Sequence, residues 1–172
     1  MPNHKGNIPN PEVRDFQRKK LYDAEDLCTF WKHLNILSLE ETTLLIKNIA
    51  THFVIKPPML ITEGHGSSLA AYATATELVL PFPIAKSLPF ICHEMSHVIN
   101  YQHGPADHHG PNFATTYLLV VKNFISMKAY SELLYNFADN KVKYNFDVEF
   151  VVDDLKNDVP IKRRLDPDGT WS

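Results

Sequence analysis

Cysteine is scarce in this chain: Cys28 and Cys92 are the only two among 172 residues. Two sulfurs build neither a disulfide scaffold nor a four-cysteine zinc ribbon, so both read as packed thiols. Long apolar runs are missing too, and none approaches the roughly 18 residues of a membrane-spanning helix. The opening stretch MPNHKGNIPNPEVRDFQ lacks the apolar centre of a signal peptide, so a cytoplasmic protein is expected. Nor is there an excess of one charge. A formal net charge of -3 leaves no basic footprint for nucleic acid or for an anionic membrane. At 44% hydrophobic and 22% charged the composition is that of an ordinary globular domain, not of a disordered segment. One residue type is abundant. Of nine histidines, five (His93, His97, His103, His108 and His109) crowd into a short stretch.

Apolar spacing sets the expected elements. Leu21, Ala24, Cys28 and Trp31 step by three and four and predict one amphipathic helix over about Glu12–His33. Ser38-Leu39-Glu40-Glu41 fits a capping box, and Leu45, Ile49 and Phe53 continue it as a second helix to about His52. Pro57-Pro58 ends that helix, and Met59–Thr62 reads as a strand before a Gly64–Gly66 turn. One or two strands are expected over Leu69–Leu80, closed by Pro81-Phe82-Pro83. A helix capped near Ser87, with Pro89 in its first turn, should reach about Tyr101. Phe113–Phe124 and Ala129–Phe137 mark two more helical faces, and the alternation Tyr144–Val152 predicts a strand. The expected architecture is α+β in one domain, 1–152, followed by a polar tail or edge extension over 153–172.

His93-Glu94-Met95-Ser96-His97 is H-E-x-x-H inside the third expected helix. Four helical residues turn through about 400°, which leaves the two imidazoles about 40° apart on one face. Two neutral imidazole nitrogens so placed can bind one Zn²⁺. Glu94 need not ligate; it can accept a proton from a zinc-activated water and return it to a leaving amine. A catalytic zinc takes a third protein ligand and keeps a position open. Three histidines are available for that role. His103 stands where a metzincin pattern places its third ligand, with Asn100 in place of the glycine, while His108 and His109 follow a Gly/Pro-rich loop.

His109-Gly110-Pro111-Asn112-Phe113 resembles the H-G-x-x-F segment that follows H-E-x-x-H in SprT-like zinc metalloproteases. More closely, the chain resembles a family of H-E-x-x-H metallohydrolases known mainly from actinobacteria and their phages. Its opening R-D-x-Q-R-x-x-[VL]-Y-x-A-E run matches Arg14 to Glu25, and its strand ending in Leu-Pro matches Leu80-Pro81. The similarity spans about residues 13–143. It implies a zincin-like fold, a mixed sheet packed on the active-site helix, with His93, His97 and His109 as ligands and Glu94 as general base. It also implies a substrate cleft along Ala71–Thr76, open to an extended peptide or protein substrate.

Other residues receive quieter readings. Arg14, Asp15, Gln17 and Arg18 read as local polar pairs at a helix terminus. His65 reads as an exposed turn residue, and Asp107 either as a carboxylate behind a ligand imidazole or as a loop cap. The expected activity is zinc-dependent hydrolysis of an amide, most simply a peptide bond. The alternatives are a non-protein amide substrate, a zinc-stabilised binding module that does not turn over, and DNA-associated proteolysis. The last is disfavoured by the charge balance.

Overall fold

A computed structural model describes residues 15–63, 70–81, 83–104, 106–145, 149–153 and 160–164. The expected first helix is divided. Helix α1 covers Arg18–Leu27, Cys28 is extended at ψ 136°, and a short α2 covers Thr29–Lys32. The division has a tertiary cause. Glu132, more than a hundred residues away, accepts from Thr29 N and Thr29 Oγ1 at 2.9 and 2.8 Å and caps the new helix start. Leu21, Ala24 and Cys28 still fill the core as their spacing required.

Helix α3, Leu39–His52, begins on the expected capping box: Glu41 N donates to Ser38 Oγ and Ser38 N donates to the Glu41 carboxylate. It ends with Val54 at φ 51°, where Val54 N and Ile55 N donate back to Thr51 O and Ala50 O. That is the left-handed helix stop that glycine usually supplies. Lys141, at φ 55°, closes α6 (Met127–Asp139) in the same way.

Strands β1 (Met59–Ile61), β2 (Tyr72–Ala73) and β3 (Glu77–Val79) form a mixed sheet in the order β1-β3-β2. β1 runs parallel to β3, and β2 antiparallel to it. The Gly64–Gly66 turn expected between them lies outside the described residues. After a short 3-10 turn, Pro83–Lys86, comes α4, Leu88–His103, with Pro89 in its first turn. Helix α5 then spans Pro111–Phe124, on the expected apolar face.

Every residue of α4 from Ile91 to Asn100 is buried, with β2, β3, α3 and α5 against it. At its end Gln102 Nε2 donates to Ala75 O and Lys56 O at 2.7 and 2.9 Å, fixing the helix to the loops around the sheet. Beyond α6, Tyr144 and Asn145 are not in a strand. Asn145 N instead donates to Thr115 Oγ1 on α5 at 2.7 Å. The strand expected over Tyr144–Val152 appears as β4, Glu149–Asp153, and the remainder of that expectation, residues 146–148, lies outside the described residues. β4 pairs antiparallel with β5, Pro160–Arg164, so part of the segment expected as a tail is an edge extension. Among the described residues the architecture is α+β, with six α-helices, a small mixed three-stranded sheet and a two-stranded one.

Candidate metal centre

A helix buried on every side must satisfy its polar residues internally. α4 carries His93, Glu94, Ser96, His97 and Asn100 into the interior. Ser96 Oγ donates back to Cys92 O at 2.7 Å, and Asn100 Nδ2 donates to Asp107 Oδ1 at 2.9 Å. The two histidines turn to a common centre where His109 joins them. One nitrogen from each of His93, His97 and His109 lies within 4.8 Å of the others, and all three residues are buried.

The loop before α5 delivers His109. Gly110, at the N-cap of α5, has no side chain to accept from the first turn, and Asp107 does so in its place. Its Oδ2 accepts from Asn112 N at 2.7 Å and its Oδ1 from Phe113 N at 3.1 Å. Gly110 N donates to Asp107 O at 2.8 Å, closing a turn in which His108 takes φ 54°. A Cβ on Gly110 would lie 2.5 Å from Asp107 Oδ2, which explains the glycine after His109. Of the two roles open to Asp107, the loop cap is therefore the one it fills. Phe113, at the start of α5, stacks on His97 with centroids 4.1 Å apart and forms the floor of the site.

The polar edge of α1 forms the other side. Asp15, Arg18, Tyr22 and Glu25 step by three, four and three, and three of them reach the histidines. Glu25 Oε1 accepts from His93 Nδ1 at 2.7 Å, and Asp15 Oδ2 accepts from His109 Nδ1 at 2.9 Å. Behind Glu25, Trp31 Nε1 donates to the Tyr117 hydroxyl at 2.9 Å, and Tyr117 is hydrogen-bonded to Glu25 in turn. The Tyr22 hydroxyl is 3.3 Å from His109 Nε2. Asp15 is thus not the local pairing residue its sequence context suggested, although Arg18 does lie 3.9 Å from it. Gln17 instead ties α1 to the segment after α6, donating to Lys143 O and accepting from Lys143 N, both at 2.9 Å. Arg14 lies outside the described residues, as does His65. Asp15, Tyr22 and Glu25 were the functional neighbours that residue-level reading missed. Their signal was present as a polar stripe at helical spacing beside the apolar one.

These contacts fix the imidazole protons. A carboxylate accepts but does not donate, so Nδ1 of both His93 and His109 carries hydrogen and Nε2 of each, when neutral, presents a lone pair. The two Nε2 atoms are 3.4 Å apart. Two lone pairs at that distance repel unless a cation lies between them. A tetrahedral zinc with bonds of about 2.0–2.1 Å places its ligand nitrogens about 3.3–3.4 Å from each other. His97 Nδ1 is buried and has no hydrogen-bond partner. The donor set therefore fits a metal ion held by three imidazoles, two of them oriented by carboxylates.

Burial and neighbouring charge tune the site further. Burial and the charges of His93 and His109 hold His97 well below the usual histidine value, and His109 falls to about 4 through burial and His93. Burial acts to lower His93, but the Glu25 carboxylate, with Glu94 beside it, outweighs burial and raises that group. Glu94 is raised by burial, partly offset by His93. The Tyr22 phenol is pushed up to about 12 by burial and by Glu25 and Glu94, so it stays a donor across the neutral range.

The alternative third ligands are placed elsewhere. His103 lies at the end of α4, its Nε2 2.7 Å from Phe53 O at the stop of α3. His108 occupies the strained turn position and is outside the triad. Cys92 is fully buried, and burial raises its thiol well above the usual range, as expected of a packed thiol. The chain matches no protein-family model, no curated protein and no solved structure.

Proposed function

We propose that this chain is a zincin-like, zinc-dependent metallohydrolase that cleaves peptide bonds, with His93, His97 and His109 as ligands and Glu94 as general base. The observation that carries the proposal is the pair of carboxylate-oriented imidazoles whose Nε2 atoms face each other at 3.4 Å beside His97. When bound, zinc supplies a Lewis acid that polarises a carbonyl and acidifies water at neutral pH.

The protein residues do the rest. Glu94 follows His93 on α4 and forms no hydrogen bond or ion pair with another described residue. Its carboxylate is free to take a proton from the attacking water and to return it to the departing amine. Burial raises its proton affinity, which suits a group that must hold a proton between those two steps. Tyr22 supplies a hydroxyl donor beside the same centre, where an oxygen gaining negative charge would need one. A mixed sheet lying on the helix that carries both histidines supports the zincin-like reading. Its strand β2 has one neighbour, β3, among the described residues, leaving an edge at Tyr72–Ala73, inside the expected Ala71–Thr76 cleft, along which an extended peptide can pair.

The test is hydrolysis of a quenched fluorescent peptide mixture by the zinc-loaded chain and by Glu94→Gln. The expected result is equal zinc content and a loss of roughly 10²–10⁴-fold in turnover, the usual share of a general base. Unchanged turnover in Glu94→Gln, or an inert zinc-loaded wild type, overturns the proposal.

A further inference from the structure

A cavity of ≈ 310 Å³ opens beside His93 and Glu94, outside the ligand triad itself. Its walls are of two kinds. Tyr22, Trp31 and Phe90 are aromatic, Glu25, Asp26 and Glu94 are acidic, and among the described residues no lysine or arginine lines it. Trp31 and Phe90 meet edge to face with centroids 4.9 Å apart, and the indole is held in place by its bond to Tyr117. The size matters: it lies at the small end of ligand pockets, suited to one side chain or chain end rather than a whole ligand.

The geometry points to this cavity as a subsite for a cationic group of the substrate, an ammonium or guanidinium held between the aromatic walls and the Asp26 carboxylate. The assignment rests on the metallohydrolase reading above and names the substrate class for that same site. Three arguments favour a cation. Aromatic faces attract positive charge, the more so where water is excluded. Asp26 is exposed and forms no ion pair with another described residue, so its charge is available. An apolar group seated there would strip water from that carboxylate and return no partner, and an acidic group would be repelled.

Two parts of a peptide offer such a group, a lysine or arginine side chain and a free N-terminal amine, and the experiment separates them. Binding is measured calorimetrically to full-length zinc-loaded Glu94→Gln, with and without Asp26→Asn. Three short peptides are compared: an N-acetylated peptide with a central lysine, the same peptide with norleucine, and the norleucine peptide with a free amine. Asp26 is exposed and the substitution isosteric, so folding is preserved. The expected result is at least tenfold tighter binding of one cationic peptide over acetylated norleucine, falling to within twofold in Asp26→Asn. A preference for lysine assigns the cavity to a side chain; a preference for the free amine assigns it to the chain end and makes the activity an exopeptidase. Asp26→Lys should reverse the preference toward a glutamate peptide. Equal affinity for all three peptides, no binding of any of them, or a preference that Asp26→Asn leaves intact overturns the inference. Zinc content and wild-type turnover are read separately, so failure of the metallohydrolase reading is recognised on its own.

Discussion

At His93 and His109 the same arrangement recurs: a carboxylate from the α1 segment takes the Nδ1 proton and turns Nε2 toward the common centre. The two carboxylates are not equivalent. Glu25 is almost fully buried and braced by Tyr117, whereas Asp15 is partly open to solvent beside Arg18. Glu25→Gln should therefore lower zinc affinity by roughly 10–100-fold, the usual cost of losing such an orienting group. Asp15→Asn should cost less. A proton count supplies the sign. His97 is held well below the usual histidine value and His109 near 4, so both are neutral at pH 7 and release nothing on binding. His93 is raised, so below that raised value metal must displace its proton, and affinity falls on acidification with the slope of one proton. Calorimetry in buffers of different ionisation enthalpy should find that proton in the wild type and lose it at the same pH in Glu25→Gln. Equal proton release in both would contradict the account of His93.

Elements show where the sequence was readable. The capping box at Ser38 and the apolar face of α5 are local signals, satisfied by residues within a turn or two, and each appeared where it was expected; α4 also starts after Ser87, but the serine hydroxyl forms no cap bond. The break at Cys28 was not readable, because the residue that stabilises it, Glu132, comes from α6. The same holds for the site. H-E-x-x-H is local geometry, while Glu25 and Asp15 meet their histidines only through tertiary contacts between segments distant in sequence, and no periodicity reports that meeting. The loop between α4 and α5 is intermediate: its histidines are conspicuous, but the choice of His109 depends on the turn that Asp107 and Gly110 build. Gly110→Ala tests this loop. Its new methyl must displace the Asp107 carboxylate that caps α5, so a loss of about 1–3 kcal/mol is expected, with weaker zinc binding because His109 moves with the turn. Thermal unfolding and zinc titration measure both. An unchanged zinc affinity would mean that the loop does not position the ligand.

Over the whole molecule, the candidate centre joins segments that are distant in sequence. Ligands come from α4 and the turn before α5, their orienting carboxylates from the α1 segment, and the cavity wall from α1, α2 and α4. No helix among the described residues is long and apolar enough to cross a membrane, and the near-neutral charge balance matches a site whose negative potential is local. That the triad holds a metal is tested most directly by zinc titration of the purified chain. One zinc per chain is expected, with binding abolished in His109→Ala and retained in His103→Ala. No zinc uptake, or loss of zinc in His103→Ala but not in His109→Ala, would contradict it.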